Sequence, residues 1–131
     1  MSMFRAMDIS GSGLTAQRLR LDVIAENIAN AETTHTPEGA PYQRLKVLMA
    51  AADEVEGGVR VAGIAPQRGP PKMVHDPSHP DADAEGYVQM PNVELATEMV
   101  DLVADSRAYE ANSRALHVAR EMSGDAVDMM S

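Results

Sequence analysis

The sequence predicts a mainly α protein, with long N- and C-terminal helices pairing as a coiled-coil-like hairpin and a small β-rich insert between them. Three observations predict it. All eight prolines lie between Pro37 and Pro91. Proline is strongly disfavoured inside helices, so the flanks are free to be long helices and the middle is not. Each flank repeats apolar residues at seven-residue spacing, the period of a helical seam. The apolar content, 44% of the chain, is Ala, Val, Leu and Met, with only 3% aromatic residues and Phe4 as the single Phe. That composition favours helix-on-helix packing over a core built on large rings. The expected division is an N-terminal helical arm at 1–36, a β-rich insert with loops at 37–91 and a long C-terminal helix at 92–131. The two arms together form one helical core domain.

In the N-terminal arm the main row is Met7, Leu14, Leu21 and Ile28. A second row adds Met3, Ile24 and Ala31, interrupted by Ser10 and Gln17. Gly11 and Gly13 weaken the helix by about 1 kcal/mol each relative to Ala, so its firm part is expected from Ser12 to Asn30. Asn30 is expected to close it in the left-handed conformation.

The insert reads as strands and turns. Arg44 to Met49 and Val59 to Ile64 have strand composition, separated by an acidic turn ending in Gly57 and Gly58. Gly69–Pro70–Pro71 and Asp76–Pro77 are loop signals, and Gly86 to Met90 is a third strand. So short a segment buries little surface.

The C-terminal arm is expected as a helix from Asn92, its N-cap, to Met129. At 1.5 Å per residue it spans about 50 Å. One row is Leu95, Leu102, Tyr109 and Leu116, with Met99 beside it. The other is Ala108, Asn112, Ala115, Ala119, Met122 and Ala126, mostly small residues that let a second helix approach. A buried Asn such as Asn112 sets helix register at a cost in stability. The predicted assembly seam is therefore Met7, Leu14, Leu21, Ile24, Ile28, Leu95, Met99, Leu102, Tyr109, Asn112 and Leu116.

The net charge of −9 speaks against nucleic acid, which needs a clustered basic surface, and against anionic membrane. Residues 1–30 carry three basic and three acidic groups, whereas 92–131 carry three and eight. A neutral arm and an acidic arm approach each other without repulsion. Without Cys, disulfides, thiol catalysis and zinc–thiolate sites are excluded. The N-terminus has no apolar h-region, so no cleaved secretory signal is expected, and no apolar run is long enough to span a bilayer.

His75, Asp76, His79, Asp81 and Asp83 are the ligand types of a divalent-metal site. Their Pro-bounded spacing suits a loop whose Asp residues cap turns better. Asp81–Ala82–Asp83–Ala84–Glu85–Gly86 imitates half of a calcium loop, but its twelfth position is Asn92 instead of a bidentate Glu. His117 has no nucleophile pattern beside it, and no glycine-rich phosphate loop is present. No catalytic, cofactor-binding or metal residues are assigned.

Ser12–Gly13–Leu14–Thr15–Ala16, followed by Asn27–Ile28–Ala29–Asn30 and Thr33–Thr34, resembles the N-terminal signature of the flagellar axial proteins of rod, hook and filament. Glu98–Met99–Val100 with Arg107–Ala108–Tyr109–Glu110–Ala111–Asn112 is similar to their C-terminal helix. Asn27, Asn30, Arg107 and Glu110 are the motif positions. His79–Pro80–Asp81–Ala82–Asp83, Gly86–Tyr87–Val88 and Met90–Pro91–Asn92–Val93 narrow the resemblance to the proximal-rod branch of the basal-body rod proteins. Glu94 departs from it, standing where the family often has Asn, and so does Ala31–Glu32.

The resemblance implies a non-enzymatic structural subunit of the proximal rod, part of the drive shaft, self-assembling through its terminal helices. It implies export by the flagellar type III apparatus without a cleaved signal peptide and assembly in the periplasm. The implied partners are other rod proteins, copies of itself, and membrane-ring and adaptor proteins of the basal body, with no nucleic acid, small-molecule substrate or cofactor. The competing class is a stand-alone acidic helical-hairpin binding module, such as a secretion chaperone or adaptor. Circular dichroism separates the two, because a chaperone is fully helical alone and a rod subunit is poorly ordered at its ends.

Overall fold

A computed structural model describes residues 3–53 and 57–130. The side chain of Met3 and the acidic turn at 54–56, both named above, lie outside the described residues. The chain runs α1 (Met3–Ala29), β1 (Leu45–Ala51), β2 (Val59–Pro66), β3 (Lys72–His75), β4 (Tyr87–Met90) and α2 (Leu95–Met130). β1 and β2 form one antiparallel hairpin, with Leu45 opposite Pro66 and an irregularity between Leu48 and Met49. β3 and β4 form a second, with Lys72 opposite Met90 and His75 opposite Tyr87.

α1 holds 27 residues and α2 holds 36. α1 starts at Met3, not Ser12, and runs through Gly11 and Gly13. Tertiary contact supports the helix between and beside them: Ser12 accepts the Val59 N–H, and Gly13 faces α2. A Cβ on Gly13 would lie 3.8 Å from the Asn112 amide nitrogen of α2. At its other end α1 closes without a left-handed residue, since among the described residues every positive φ belongs to glycine. Asn30 instead turns its side chain back, and its amide nitrogen donates to the Glu26 carbonyl at 2.9 Å. Its oxygen accepts from Thr33 at 3.1 Å.

The helices lie antiparallel. The Asn112 amide donates to Gln17 at 3.0 Å, and one turn along, Arg20 Nε stands 3.1 Å from Asp105 Oδ2, close enough to pair but out of line for a hydrogen bond. The first hairpin lies along α1 on another side. Leu45 is held at Asn27, and Val59 donates its N–H to Ser12 Oγ at 3.2 Å. From Ser12 to Asn27 is about 22 Å of helix, and the seven residues of β1 rise about 23 Å, so strand and helix match in length. Gly58 makes the contact at the tip possible. Its φ is +86°, and a Cβ there would sit 2.4 Å from Ser12 Oγ.

The mainly α, coiled-coil-like pairing is therefore corrected. A coiled coil needs one continuous apolar seam on each helix. The residues of α1 that are buried are Ala16, Val23, Ile24 and Asn27, while Met7, Leu14, Leu21 and Ile28 are only half-buried. α1 divides its surface between α2 and the hairpin, so its buried strip is wider than a seam and centred elsewhere. Along α2 the less exposed positions include Glu98, Leu102, Asp105, Tyr109, Asn112 and Leu116, where every second residue is polar. The result is a helix pair joined to two hairpins.

β3 was not expected. Its four residues are flanked by the same Gly–Pro and Asp–Pro signals that read as loop, and it exists because β4 pairs with it. Asn92 is not the cap of α2. The first helical bond runs from Glu98 N–H to the Glu94 carbonyl at 3.0 Å, which makes Glu94 the cap, and Asn92 is used elsewhere.

Candidate functional site

Two features carry the functional argument: a buried polar joint where both helices meet the insert, and the uncovered side of α2.

The joint starts from Asn27, which is wholly buried. An isolated buried amide would be destabilising, but this one is satisfied by a strand. Its nitrogen donates to the Leu45 carbonyl and its oxygen accepts the Leu45 N–H, both at 2.9 Å. The side chain thus replaces one rung of a β-ladder on the outer edge of β1. The oxygen also accepts from the Tyr42 hydroxyl at 2.8 Å. Burial, with Glu26 and Glu98 nearby, pushes the Tyr42 phenol up to about 12, because each of these disfavours the phenolate.

Asn92 does the same beyond the end of the hairpin. Its oxygen accepts the Arg44 N–H and its nitrogen donates to the Gln67 carbonyl, each at 2.9 Å. The Gln67 N–H donates directly to the Arg44 carbonyl at 2.7 Å. Two Asn side chains, one at the end of α1 and one before α2, therefore grip the same end of the first hairpin. Arg44 completes the joint. Its Nε pairs with Glu98 of α2, and its Nη1 donates to Gln67 at 2.6 Å. Glu98 is 1% exposed. A buried carboxylate is tolerable only when paired and hydrogen-bonded; the guanidinium supplies that at Oε1, while the buried Oε2 has no hydrogen-bond partner among the described residues.

The second feature is apolar. Leu95, Met99, Val100, Val103, Val118 and Met122 are exposed on α2. Of the predicted seam, Leu102, Tyr109, Asn112 and Leu116 are half-buried, as are Met7, Leu14, Leu21 and Ile28. Ile24 is buried, and Leu95 and Met99 are exposed. Of the motif residues, Asn27 and Asn30 organise the end of α1, whereas Arg107 and Glu110 are exposed on α2.

The His and Asp loop is built from local turns. Asp83 Oδ1 accepts the N–H groups of Glu85 and Tyr87, each at 2.9 Å. His79 Nδ1 accepts from the Asp81 N–H at 3.0 Å. Asp76 takes the Ser78 hydroxyl at 2.7 Å, and His75 packs edge-on to the Tyr87 ring at 4.9 Å. Among the described residues no three His, Asp or Glu side chains converge as metal ligands. No helix among the described residues is long and apolar enough to cross a membrane.

Residues 7–34 match the family described as flagella basal body rod protein. Residues 84–129 match the C-terminal family of the flagellar basal body rod FlgEFG proteins. The chain is 42% identical to the flagellar basal-body rod protein FlgC of Borreliella burgdorferi, covering 93% of each chain. It is 43% identical to FlgC of Escherichia coli O6:H1, again over 93% of each, and 39% identical to FlgC of Bacillus subtilis, over 93% of this chain and 94% of that one. The chain belongs to the FlgC family of flagellar basal-body rod proteins. It is thus a structural component of the basal-body rod.

Seen as a FlgC-family chain, the joint and the motif fall in the same places. Asn27 lies in the N-terminal match, and Asn92 and Glu98 lie in the C-terminal one. Sequence reading missed Tyr42, Arg44 and the structural part played by Asn92. The one available signal was Glu98, an acid in the first turn of α2 beside an apolar row. Nothing local marks Arg44 as its partner, because the two are brought together only by the fold.

Proposed function

We propose that this chain is a subunit of the proximal rod, forming part of the drive shaft, and that it assembles laterally through α2. The observation that carries the reading is the uncovered apolar side of α2. A helix already packed on α1 still offers Leu95, Met99, Val100 and Val103 to solvent near its start and Val118 and Met122 further along, and clustered exposed apolar residues mark an interaction site. In this reading the predicted seam has two duties. Leu14, Leu21, Ile24, Leu102, Tyr109, Asn112 and Leu116 close the subunit, while Leu95 and Met99 dock neighbours. The arms at 1–36 and 92–131 act as one core domain, and the insert at 37–91 stands on the joint. Its partners are copies of itself and other rod proteins, and then membrane-ring and adaptor proteins of the basal body. It reaches the periplasm through the flagellar type III apparatus without a cleaved signal, and it catalyses no reaction.

The test is Val100→Asp together with Val103→Asp in cells lacking the native copy. Val100 is 67% exposed, so the isolated subunit should fold and accumulate as before, while a charge at a dry interface has no partner. Loss of swimming with normal protein level and unchanged melting is expected. Cells that swim normally would remove the docking role from this face.

A further inference from the structure

We propose that the first hairpin is a clasp, which turns about α1 and closes onto α2 by pairing Lys46 with Asp101. The conformation seen is the open one. Lys46 is the only polar side chain of β1. It lines one cavity of about 220 Å³ together with Asp101, Arg20 and Arg44, over a floor that includes Val23 and Ile24. Neither the Lys46 nor the Asp101 side chain has a hydrogen bond or ion pair among the described residues. No Cα of β1 lies within 8 Å of a Cα of α2. Two opposite charges thus stand on the walls of an open gap.

The chain direction puts these two residues in register. β1 runs against α1, from Leu45 at Asn27 towards the hairpin tip at Ser12. α2 also runs against α1, so β1 and α2 are parallel. Arg44 already pairs with Glu98. Lys46 lies two residues on, on the same side of the strand and about 7 Å further. Asp101 lies three residues on from Glu98, on the same side of α2 and about 4.5 Å further. The flexible lysine stem spans the difference. The next acid on that side, Asp105, stands against Arg20. Of three acids in one row, only the middle one lacks its cation.

The same row is short of hydrogen bonds. Glu98 Oε2 and Asp105 Oδ2 are buried without a hydrogen-bond partner among the described residues, and such acceptors are unfavourable. Arg44 holds Glu98 through Nε alone, whereas a guanidinium can hold a carboxylate by two parallel bonds. A turn of the hairpin towards α2 carries Arg44 and Lys46 together. It brings a second N–H to Glu98 Oε2 and the ammonium to Asp101. The hinge line is already built, because the hairpin is held on α1 at Asn27 and at Ser12. Rotation about the line through those two points breaks neither.

The chain has only two lysines, Lys46 and Lys72, so a zero-length carbodiimide cross-linker reads the clasp directly. The reagent activates a carboxylate, the amine displaces it, and an amide forms with net loss of water. Lys72 Nζ already lies 2.8 Å from Glu94 and serves as the internal standard. Peptide mapping of the full chain, treated as a verified monomer, should recover an amide between Lys46 and Asp101 beside the one between Lys72 and Glu94. A second measurement uses thiols, since the chain has no Cys. A disulfide needs Cα atoms within about 7 Å, closer than β1 and α2 stand in the open form. Lys46→Cys with Asp101→Cys should therefore oxidise to an intrachain disulfide through closure. Lys46→Cys with Val103→Cys, whose second thiol is about 200° round the helix from position 101, should stay reduced at least tenfold longer. Absence of the Lys46 amide where the Lys72 amide forms would overturn the proposal. So would a first Cys pair that stays reduced, or a second pair that oxidises as fast as the first.

Discussion

At the scale of single residues, the chain uses a few buried polar groups where a small apolar core would not hold. Only Ala16, Val23, Ile24, Val88 and Val93 are buried apolar residues of the described core, together with buried Pro91. Arg44 and Glu98 compensate for one another, so removing one is worse than removing both. Arg44→Met leaves a buried carboxylate alone and should cost about 3–5 kcal/mol, read as a lower urea midpoint. Adding Glu98→Leu should recover most of the loss, and a double variant no more stable than the single one would refute the pairing. Tyr42 gives a pH signature. Its folded pKa is raised, so its contribution is fully present below pH 10 and is lost as pH rises towards about 12. Tyr42→Phe should flatten that alkaline loss of stability. An unchanged alkaline profile would exclude Tyr42 as its source.

At the scale of elements, α1 is the shared member. It packs on α2 through Gln17 and Arg20 and on the first hairpin through Ser12 and Asn27. Leu21→Asp places a charge on the half-buried margin of this helix and should lower melting and block rod assembly while synthesis continues. A motile strain carrying it would show that this margin is not packed in the rod. The hairpin tip has a sharper constraint. Gly58→Ala combines an unfavourable positive φ with a clash against Ser12, and about 1 kcal/mol or more of destabilisation is expected. An equally stable variant would mean that the tip is not docked on α1.

At the scale of the whole molecule, stability is concentrated at the joint. Asn27, Arg44, Asn92 and Glu98 lie there, and the burial of α2 falls away beyond it. Local unfolding follows such differences. Hydrogen exchange on the isolated chain should be slowest around residues 23–27, 44–47 and 88–98. It should be fast over the last turns of α2, residues 124–130, where every position is exposed. Uniform strong protection along α2 in a verified monomer would contradict this. By the same reasoning His79→Ala, whose ring serves one local turn, should leave motility close to normal. Loss of swimming at normal protein level would give the loop a further task.

The sequence by itself determined where long helices are possible, because proline acts locally and all eight prolines are confined to the middle of the chain. It also determined the family, since Asn27 to Asn30 and Arg107 to Asn112 are contiguous motifs. Heptad spacing marked which residues of α1 and α2 are apolar on a common side, but not which of them are buried. Burial depends on what else covers the helix, and the first hairpin covers α1 from a direction that periodicity does not encode. The pairing of Arg44 with Glu98, the ladder rung supplied by Asn27 and the bridge made by Asn92 join residues far apart in the chain. Only the tertiary structure decides such contacts, because hydrogen bonding depends on distance and direction in space, and sequence spacing specifies those only within a single helix or hairpin.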